Sequence, residues 1–279
     1  MDVNLKGGII YVTALGNNTL EVVDLTKGQV IHNIGGLDEP QGVGYTPQTG
    51  EVVVANAGTG DWYFYNARTF EKVATIHLGS DADDVRYDSA EQKIYIGYRR
   101  GGITVIDAAT YRQVGDIKLP AHPESFQLNK GLHRLFVNLP DANIVGEADL
   151  RQSVLLGKWE NGSASANFPM ALDTGRHQVL VGYRHPARLA VYDGRSVKVL
   201  SSGEMTGDAD DLYYDSASGE GACQRGCEGD KYLPAGRKWG LQTNGEYPDQ
   251  ERGKDLAAGA GMAAIYNSGT GGRGSTRFT

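Results

Sequence analysis

A repeat of about 42 residues runs through the first 220 positions, and it constrains the fold more than any other feature of this sequence. Five apolar residues occupy equivalent places in the repeat: Tyr45, Tyr87, Leu128, Leu172 and Tyr214. Successive members of this set are 42, 41, 44 and 42 residues apart. Self-similarity at such a period indicates that the chain is built from copies of one supersecondary unit.

Each copy contains several short segments rich in Val, Ile and Tyr. After the first four of the apolar residues come "GEVVVAN", "KIYIGY", "RLFVNL" and "QVLVGY", and further segments such as "WYFYNA", "ITVIDA" and "LAVYDG" follow. Short β-rich runs separated by Gly, Asp and Asn are typical of antiparallel strands. A unit of this length with about four strands is typical of a propeller blade. We therefore predict an all-β protein, a β-propeller of four-stranded antiparallel blades.

The repeat also resembles a known family. "IYVTALGNNTLEVVDLTKGQVIHNI" is similar to the YVTN-type propeller repeat, in which a Tyr-Val-Thr strand leads through a polar turn to a second strand. "HPESFQL", "ANFPMALD" and the two "DADD" segments resemble a bacterial seven-bladed subgroup related to the YncE-like proteins. The resemblance extends from residue 1 to about residue 218. It implies a seven-bladed parent of which about five blades are encoded here.

The same resemblance carries expectations about the ends of the propeller. The encoded part is expected to comprise a partial first blade, blades two to five and the start of a sixth. Such proteins are usually exported, so a periplasmic or secreted parent is implied. The sequence opens in mid-blade with no secretory signal, so this chain as written is expected in the cytoplasm.

The composition changes abruptly at about Glu220. The segment 221–279 contains one isoleucine, no valine and 13 glycines. Such a composition does not favour strands, and no strand is predicted beyond Glu220. Back-translation in a shifted frame permits a blade-like sequence instead. We therefore expect residues 1–220 to be the propeller and residues 221–279 to be a non-native or disordered tail, encoded out of frame.

Charge and hydropathy exclude some partners. The net charge of −7 does not provide the excess of positive charge that nucleic-acid binding requires. No apolar run approaches the roughly 20 residues that a membrane helix needs. The expected partner is an unknown small molecule or another protein.

Acidic side chains recur in the loops that lead into the first strand of each predicted blade. In a propeller these loops lie on one face, so we expect their polar side chains to gather around the channel mouth. The predicted ligand-binding residues in these loops are Asp81, Asp83, Asp84, His122, Glu124, Asn167, Asp208, Asp210 and Asp211.

Two interpretations of this acidic mouth remain open. Oxygen ligands of this kind suit a hard cation such as Ca²⁺, for which Asp83, Asp210 and His122 are the candidate metal ligands. Alternatively, aspartates in turns accept hydrogen bonds from their own backbone, and this structural interpretation is favoured. No other cofactor is predicted.

Arginines in the neighbouring turns "GYRRGG" and "GYRHPAR" are expected to reach the same face. Arg99 and Arg184 are candidate ligand-binding residues, since a guanidinium binds a carboxylate through two hydrogen bonds. The favoured alternative is a structural set of Asp–Arg pairs around the channel.

No catalytic residues are predicted, because no nucleophile–base motif occurs in the first 220 residues. The preferred hypothesis is a non-catalytic binding or scaffold protein. One alternative is a lactonase-like or other metal-dependent hydrolase, supported by His122 and Glu124 among the acidic loops. Another is a propeller partner of a quinoprotein-type redox system, since the fold resembles the propeller subunit of the quinoprotein amine dehydrogenases.

Overall fold

A computed structural model describes residues 1–77, 82–205 and 207–215, together with the backbone of residues 220–225. The chain divides into two compact units, and the division falls between Asp116 and Ile117. Nearly all regular structure in the described residues is β-strand, apart from three short 3₁₀ turns: Leu15–Asn17, Lys130–Leu132 and Pro140–Ala142.

The first unit contains three sheets of four strands, each joined in the order of the chain. The first sheet comprises β1 (Asp2–Asn4), β2 (Ile9–Ala14), β3 (Thr19–Asp24) and β4 (Gln29–Ile34). The second comprises β5 (Pro40–Thr46), β6 (Glu51–Asn56), β7 (Asp61–Asn66) and β8 (Lys72–His77). The third comprises β9 (Ala82–Asp88), β10 (Lys93–Tyr98), β11 (Gly102–Asp107) and β12 (Gln113–Lys118), whose last residues pass the division.

The second unit continues the same pattern. One four-stranded sheet comprises β13 (Phe126–Asn129), β14 (Arg134–Leu139), β15 (Ile144–Asp149) and β16 (Val154–Glu160). The next comprises β17 (Ser165–Asp173), β18 (Gln178–His185), β19 (Ala187–Asp193) and β20 (Val199–Glu204). A two-stranded pair follows, formed by β21 (Ala209–Asp215) and β22 (Glu220–Arg225).

The predicted fold class is confirmed. Five four-stranded antiparallel sheets in chain order correspond to about five propeller blades. The first sheet has four strands, because the three residues of β1 pair with β2. The expected partial first blade stays a prediction.

The structure also differs from the sequence prediction beyond Glu220, where no strand was expected. Strand β22 pairs with β21 from Asp215↔Glu220 to Ala209↔Arg225. Its residues have weak strand propensity, but the ladder is made by backbone groups that every non-proline residue carries. The rest of the predicted tail lies outside the described residues, so its assignment stays a prediction.

The middle strands of each sheet supply the core. Strands β6 and β10 are buried along almost their whole length, whereas the outer strands β8 and β20 are mainly exposed. Within the first unit, one core cluster joins residues of the second and third sheets: Val53, Ala55, Trp62, Phe64, Ala82, Val85, Ile94, Ile96, Ile106 and Ala108. Within the second unit, a comparable cluster includes Phe136, Trp159, Met170, Val181 and Tyr183. Sheets covered on both faces explain why the middle strands read as continuous apolar runs.

A capped turn recurs between the third and fourth strands of every four-stranded sheet. The last residue of the third strand is Asp24, Asn66, Asp107, Asp149 or Asp193, and its side-chain oxygen accepts hydrogen bonds from backbone amides two or three residues later. This is the Asx turn, which satisfies backbone donors locally. The aspartates at these positions therefore serve the fold rather than a ligand.

One of these turns offers a matched test. Asp193 accepts hydrogen bonds from the amides of Arg195 at 3.0 Å and Ser196 at 2.7 Å. Replacing Asp193 with alanine is expected to lower the free energy of unfolding by about 1 kcal/mol, as for the loss of a helix N-cap. Asp193→Asn is the control, since Asn66 makes the same bonds in the second sheet. Urea denaturation at neutral pH measures both, and equal losses in the two variants would contradict the hydrogen-bonding role.

The same two variants separate the stability contributed by the hydrogen-bond acceptor at position 193 from that contributed by its negative charge. Burial acts to raise the pKa of Asp193, but hydrogen bonds from Ser196 and Arg195 outweigh it and leave that pKa below its usual value. A lowered carboxyl pKa stabilises the fold above the unfolded-state pKa of about 3.9, and this contribution is lost as the pH falls through the folded-state value. Asp193→Asn is therefore expected to lose less stability than the parent between neutral pH and the acid transition.

Candidate functional site

The predicted site residues lie at the ends of the sheets where the first strands begin. In the first unit, Asp83 and Asp84 stand at the start of β9, and Arg99 follows β10 in the turn that leads to β11.

In the second unit, Asp210 and Asp211 stand at the start of β21, just after Asp208. His122 and Glu124 precede β13, Asn167 lies in β17, and Arg184 ends β18. Asp81 lies outside the described residues.

Asp84 is engaged within its own strand. Its Oδ1 accepts the amide of Val85 at 3.0 Å, and the guanidinium of Arg86 donates to the same oxygen. Residues two apart in a strand share one face, so the pairing follows from the sequence spacing. Arg86 is a partner that the sequence analysis missed, although the segment "DDVR" contains the signal.

Asp83 is positioned by a close approach of two strands. A Cβ atom added to Gly42 in β5 would lie 1.9 Å from the carbonyl oxygen of Asp83 and 2.8 Å from Cγ2 of Val85. Only glycine allows the two backbones to come this near. The side chain of Asp83 is half-buried at this point, whereas Arg99 in the same unit is exposed.

His122 and Glu124 form a pair on the loop before β13. His122 Nε2 lies 3.9 Å from Glu124 Oε1, with side-chain exposures of 21% and 29%. Pro123 between them is buried, and the half-buried side chains flank it. A nitrogen and an oxygen at this separation are close enough to share one cation, since metal–ligand distances are about 2.0–2.6 Å.

Arg184 and Asp210 form an ion pair within the second unit. The Nη2 of Arg184 donates to Asp210 Oδ1, and the guanidinium carbon lies 4.0 Å from the ring centroid of Phe168. Burial raises the pKa of Asp210, with smaller increases from Asp208 and Asp211, while Arg184 opposes the shift. This is the Asp–Arg pairing that the sequence analysis favoured for its arginines, and here it occupies both residues.

Asn167 lies in a buried polar network rather than on the surface. Its Nδ2 donates to Asn138 Oδ1 at 3.1 Å and to the carbonyl of Ile144 at 2.9 Å. Its Oδ1 accepts from Asn161 Nδ2 at 2.8 Å, and Asn161 Oδ1 accepts the hydroxyl of Tyr183 at 3.2 Å. Both ends of the Asn167 amide are therefore used by the fold. The loop sequence "SASANFP" carries no sign that this asparagine points inward.

The acidic residues thus differ in their environments. Asp84 and Asp210 are paired with arginines, and Asn167 is buried with its hydrogen bonds made. Asp208 is half-buried and Asp211 is exposed. Among the described residues of the second unit, the His122–Glu124 pair places a nitrogen and a carboxylate donor side by side.

Comparisons with known proteins identify the fold of this chain but match it to no protein family. No model of a known protein family matches the sequence, and a search of curated proteins found no match either. Among solved structures, the chain is similar to one in "Crystal Structure of Mitotic Checkpoint Complex", with a TM-score of 0.69 and 15% sequence identity. The match covers 81% of this chain and 69% of that chain.

These observations define the protein as a β-propeller. The repeated four-stranded sheets and the likeness to a propeller structure agree. At 15% identity the likeness carries the fold alone. Among the described residues, no helix is long and apolar enough to cross a membrane.

Proposed function

We propose that this protein is a non-catalytic binding protein of the β-propeller class that takes up a divalent cation, with Ca²⁺ as the candidate. The observation that carries the proposal is the His122–Glu124 pair, with its Nε2–Oε1 distance of 3.9 Å. Propeller loops held on rigid sheets are frequent recognition sites. Asp210 is a weaker candidate ligand than the sequence suggested, because Arg184 already neutralises it.

Metal-dependent thermal stability tests this proposal. Ca²⁺ is expected to raise the melting temperature of the full chain, because a ligand that binds only the folded state stabilises it by about 2.7 kcal/mol at a hundred times its dissociation constant. Glu124→Gln is expected to abolish the response, and His122→Ala is expected to weaken it, because Ca²⁺ prefers oxygen ligands. His185→Ala is the matched control, since His185 is an exposed histidine at the end of β18. A response that survives in both site variants would contradict the assignment.

The same samples separate binding from hydrolysis. The metal-dependent hydrolase alternative requires a lactone to be cleaved when the metal is present, and cleavage that is lost with His122→Ala would favour it. A Ca²⁺ response without cleavage favours the binding protein.

A protein partner is the second part of the proposal. Each four-stranded sheet carries short turns on a regular framework, and loops held on such frameworks are suited to recognition. The structurally similar chain comes from a complex, the mitotic checkpoint complex. We infer that this chain, too, serves as a scaffold for another macromolecule.

The finer family assignment is also a proposal. The segment "IYVTALGNNTLEVVDL" and the two "DADD" segments support a YVTN-type, YncE-like parent. A periplasmic or secreted location of that parent follows from the same resemblance.

A further inference from the structure

A pocket in the second unit is lined by none of the predicted site residues. It has a volume of about 500 Å³ and lies between the turn that joins β18 to β19 and the end of β20. Arg188 from β19 faces Glu204 from β20 across the ladder, and both line the pocket. Pro186 and Met205 provide apolar wall, and Ser202 adds a hydroxyl.

Arg188 is the unusual member of this pocket. Its side chain is half-buried, and its Nε atom is buried with no hydrogen-bond partner. Within the described part of the chain, no carboxylate lies at ion-pair distance from Arg188. The guanidinium carbon lies 5.5 Å from the ring centroid of Tyr183, within the range of a cation–π contact.

Two other arginines of the same unit have carboxylate partners. Arg134 donates to Glu147 at 2.9 Å and to Asp149 at 3.1 Å, and Arg184 pairs with Asp210. Burying part of a charged group without an acceptor is unfavourable. Because the Nε atom is buried, an anion in the pocket would be bound by the terminal guanidinium nitrogens of Arg188, which are not among the buried unpaired atoms.

We propose that the pocket beside Arg188 binds a small organic monocarboxylate. The planar guanidinium matches a carboxylate through two parallel hydrogen bonds. Met205 and Pro186 suit a short apolar tail on the ligand. Glu204 opposite Arg188 disfavours a second negative charge, because like charges held close repel. This selects a monocarboxylate over a dicarboxylate or a phosphate dianion.

Titration of the full chain with sodium butyrate tests the proposal. Binding is measured by calorimetry and by melting temperature, at an ionic strength held constant with chloride and with EDTA present. Saturable binding is expected in the parent. Arg188→Gln is expected to bind at least about tenfold more weakly, in line with the loss of a charge-assisted hydrogen bond. Arg188→Lys is expected to weaken binding too, because lysine keeps the positive charge but cannot donate the two parallel hydrogen bonds of the planar guanidinium.

The remaining variants and probes discriminate the ligand class. Arg195→Gln, which alters an exposed arginine of the same sheet, is the matched control and is expected to bind butyrate like the parent. Glu204→Gln is expected to admit succinate, which the parent excludes. The proposal is overturned if the parent shows no saturable binding, if both Arg188 variants bind butyrate like the parent, or if inorganic phosphate binds as tightly as butyrate. Because EDTA removes divalent cations, failure of the Ca²⁺ proposal does not affect this result.

Discussion

Replacing Asn167 with alanine is expected to lower the free energy of unfolding by about 3 kcal/mol. The side chain is fully buried and donates to Asn138 Oδ1 and to the carbonyl of Ile144. Its removal leaves these acceptors, and one donor bond of Asn161, without their partner. A buried polar group that loses its hydrogen bond costs about 1–3 kcal/mol. Urea denaturation should show a lower midpoint with an unchanged slope.

A double-mutant cycle separates this network from simple loss of packing. Asn161→Ala combined with Asn167→Ala is expected to cost less than the sum of the single changes by about 1 kcal/mol, because the two residues are bonded to each other. Asn17→Ala, at an exposed position in a 3₁₀ turn, is the control and is expected to have little effect. Strict additivity of the two buried changes, or a small effect of Asn167→Ala, would show that the network does not hold this part of the fold and would leave Asn167 available to a ligand.

Gly42→Ala is the second change expected to have a large effect. The added Cβ would lie 1.9 Å from the carbonyl oxygen of Asp83, so strand β5 or β9 must move. Overpacking of a well-packed core typically costs about 1–3 kcal/mol, and a clash with backbone lies at the upper end of this range because no side-chain rotation relieves it. Loss of about 3 kcal/mol in the free energy of unfolding is therefore expected, measured by urea denaturation.

The location of the damage gives a sharper check. Amide hydrogen exchange should increase in β9, around Asp83 and Val85, before it increases elsewhere in the first unit. Gly35→Ala is the control, because no heavy atom lies within 4 Å of the corresponding Cβ position and its backbone is not left-handed. If Gly42→Ala melts like Gly35→Ala, the close approach of β5 and β9 is not a constraint on the protein.

Local features of the site could be predicted from the sequence, and features that depend on distant partners could not. The Asp84–Arg86 pair lies two residues apart in one strand, so it was available from the sequence. Arg184 and Asp210 are far apart in the chain, and the sequence left their pairing as one of two interpretations. Asn167 was predicted to face a ligand, but its three partners lie up to 29 residues away and bury it.

The class of fold follows from local patterns in the amino-acid sequence. A period of about 42 residues and alternating β-rich segments require repeated antiparallel sheets, because strand propensity and turn chemistry act between neighbours in the chain. The Asx turns at Asp24, Asn66, Asp107, Asp149 and Asp193 belong to the same local level.

Which polar groups are available to a ligand depends on the packing of residues that are distant in the chain. The sequence alone does not show whether a polar residue is paired, buried or available to a ligand, because this depends on the residues that pack against it. Asn167 is buried and hydrogen-bonded in the core, and Arg184 pairs with Asp210. Arg188 was left beside a pocket with its Nε unpaired, because the packing of β18, β19 and β20 buries that atom without bringing an acceptor to it.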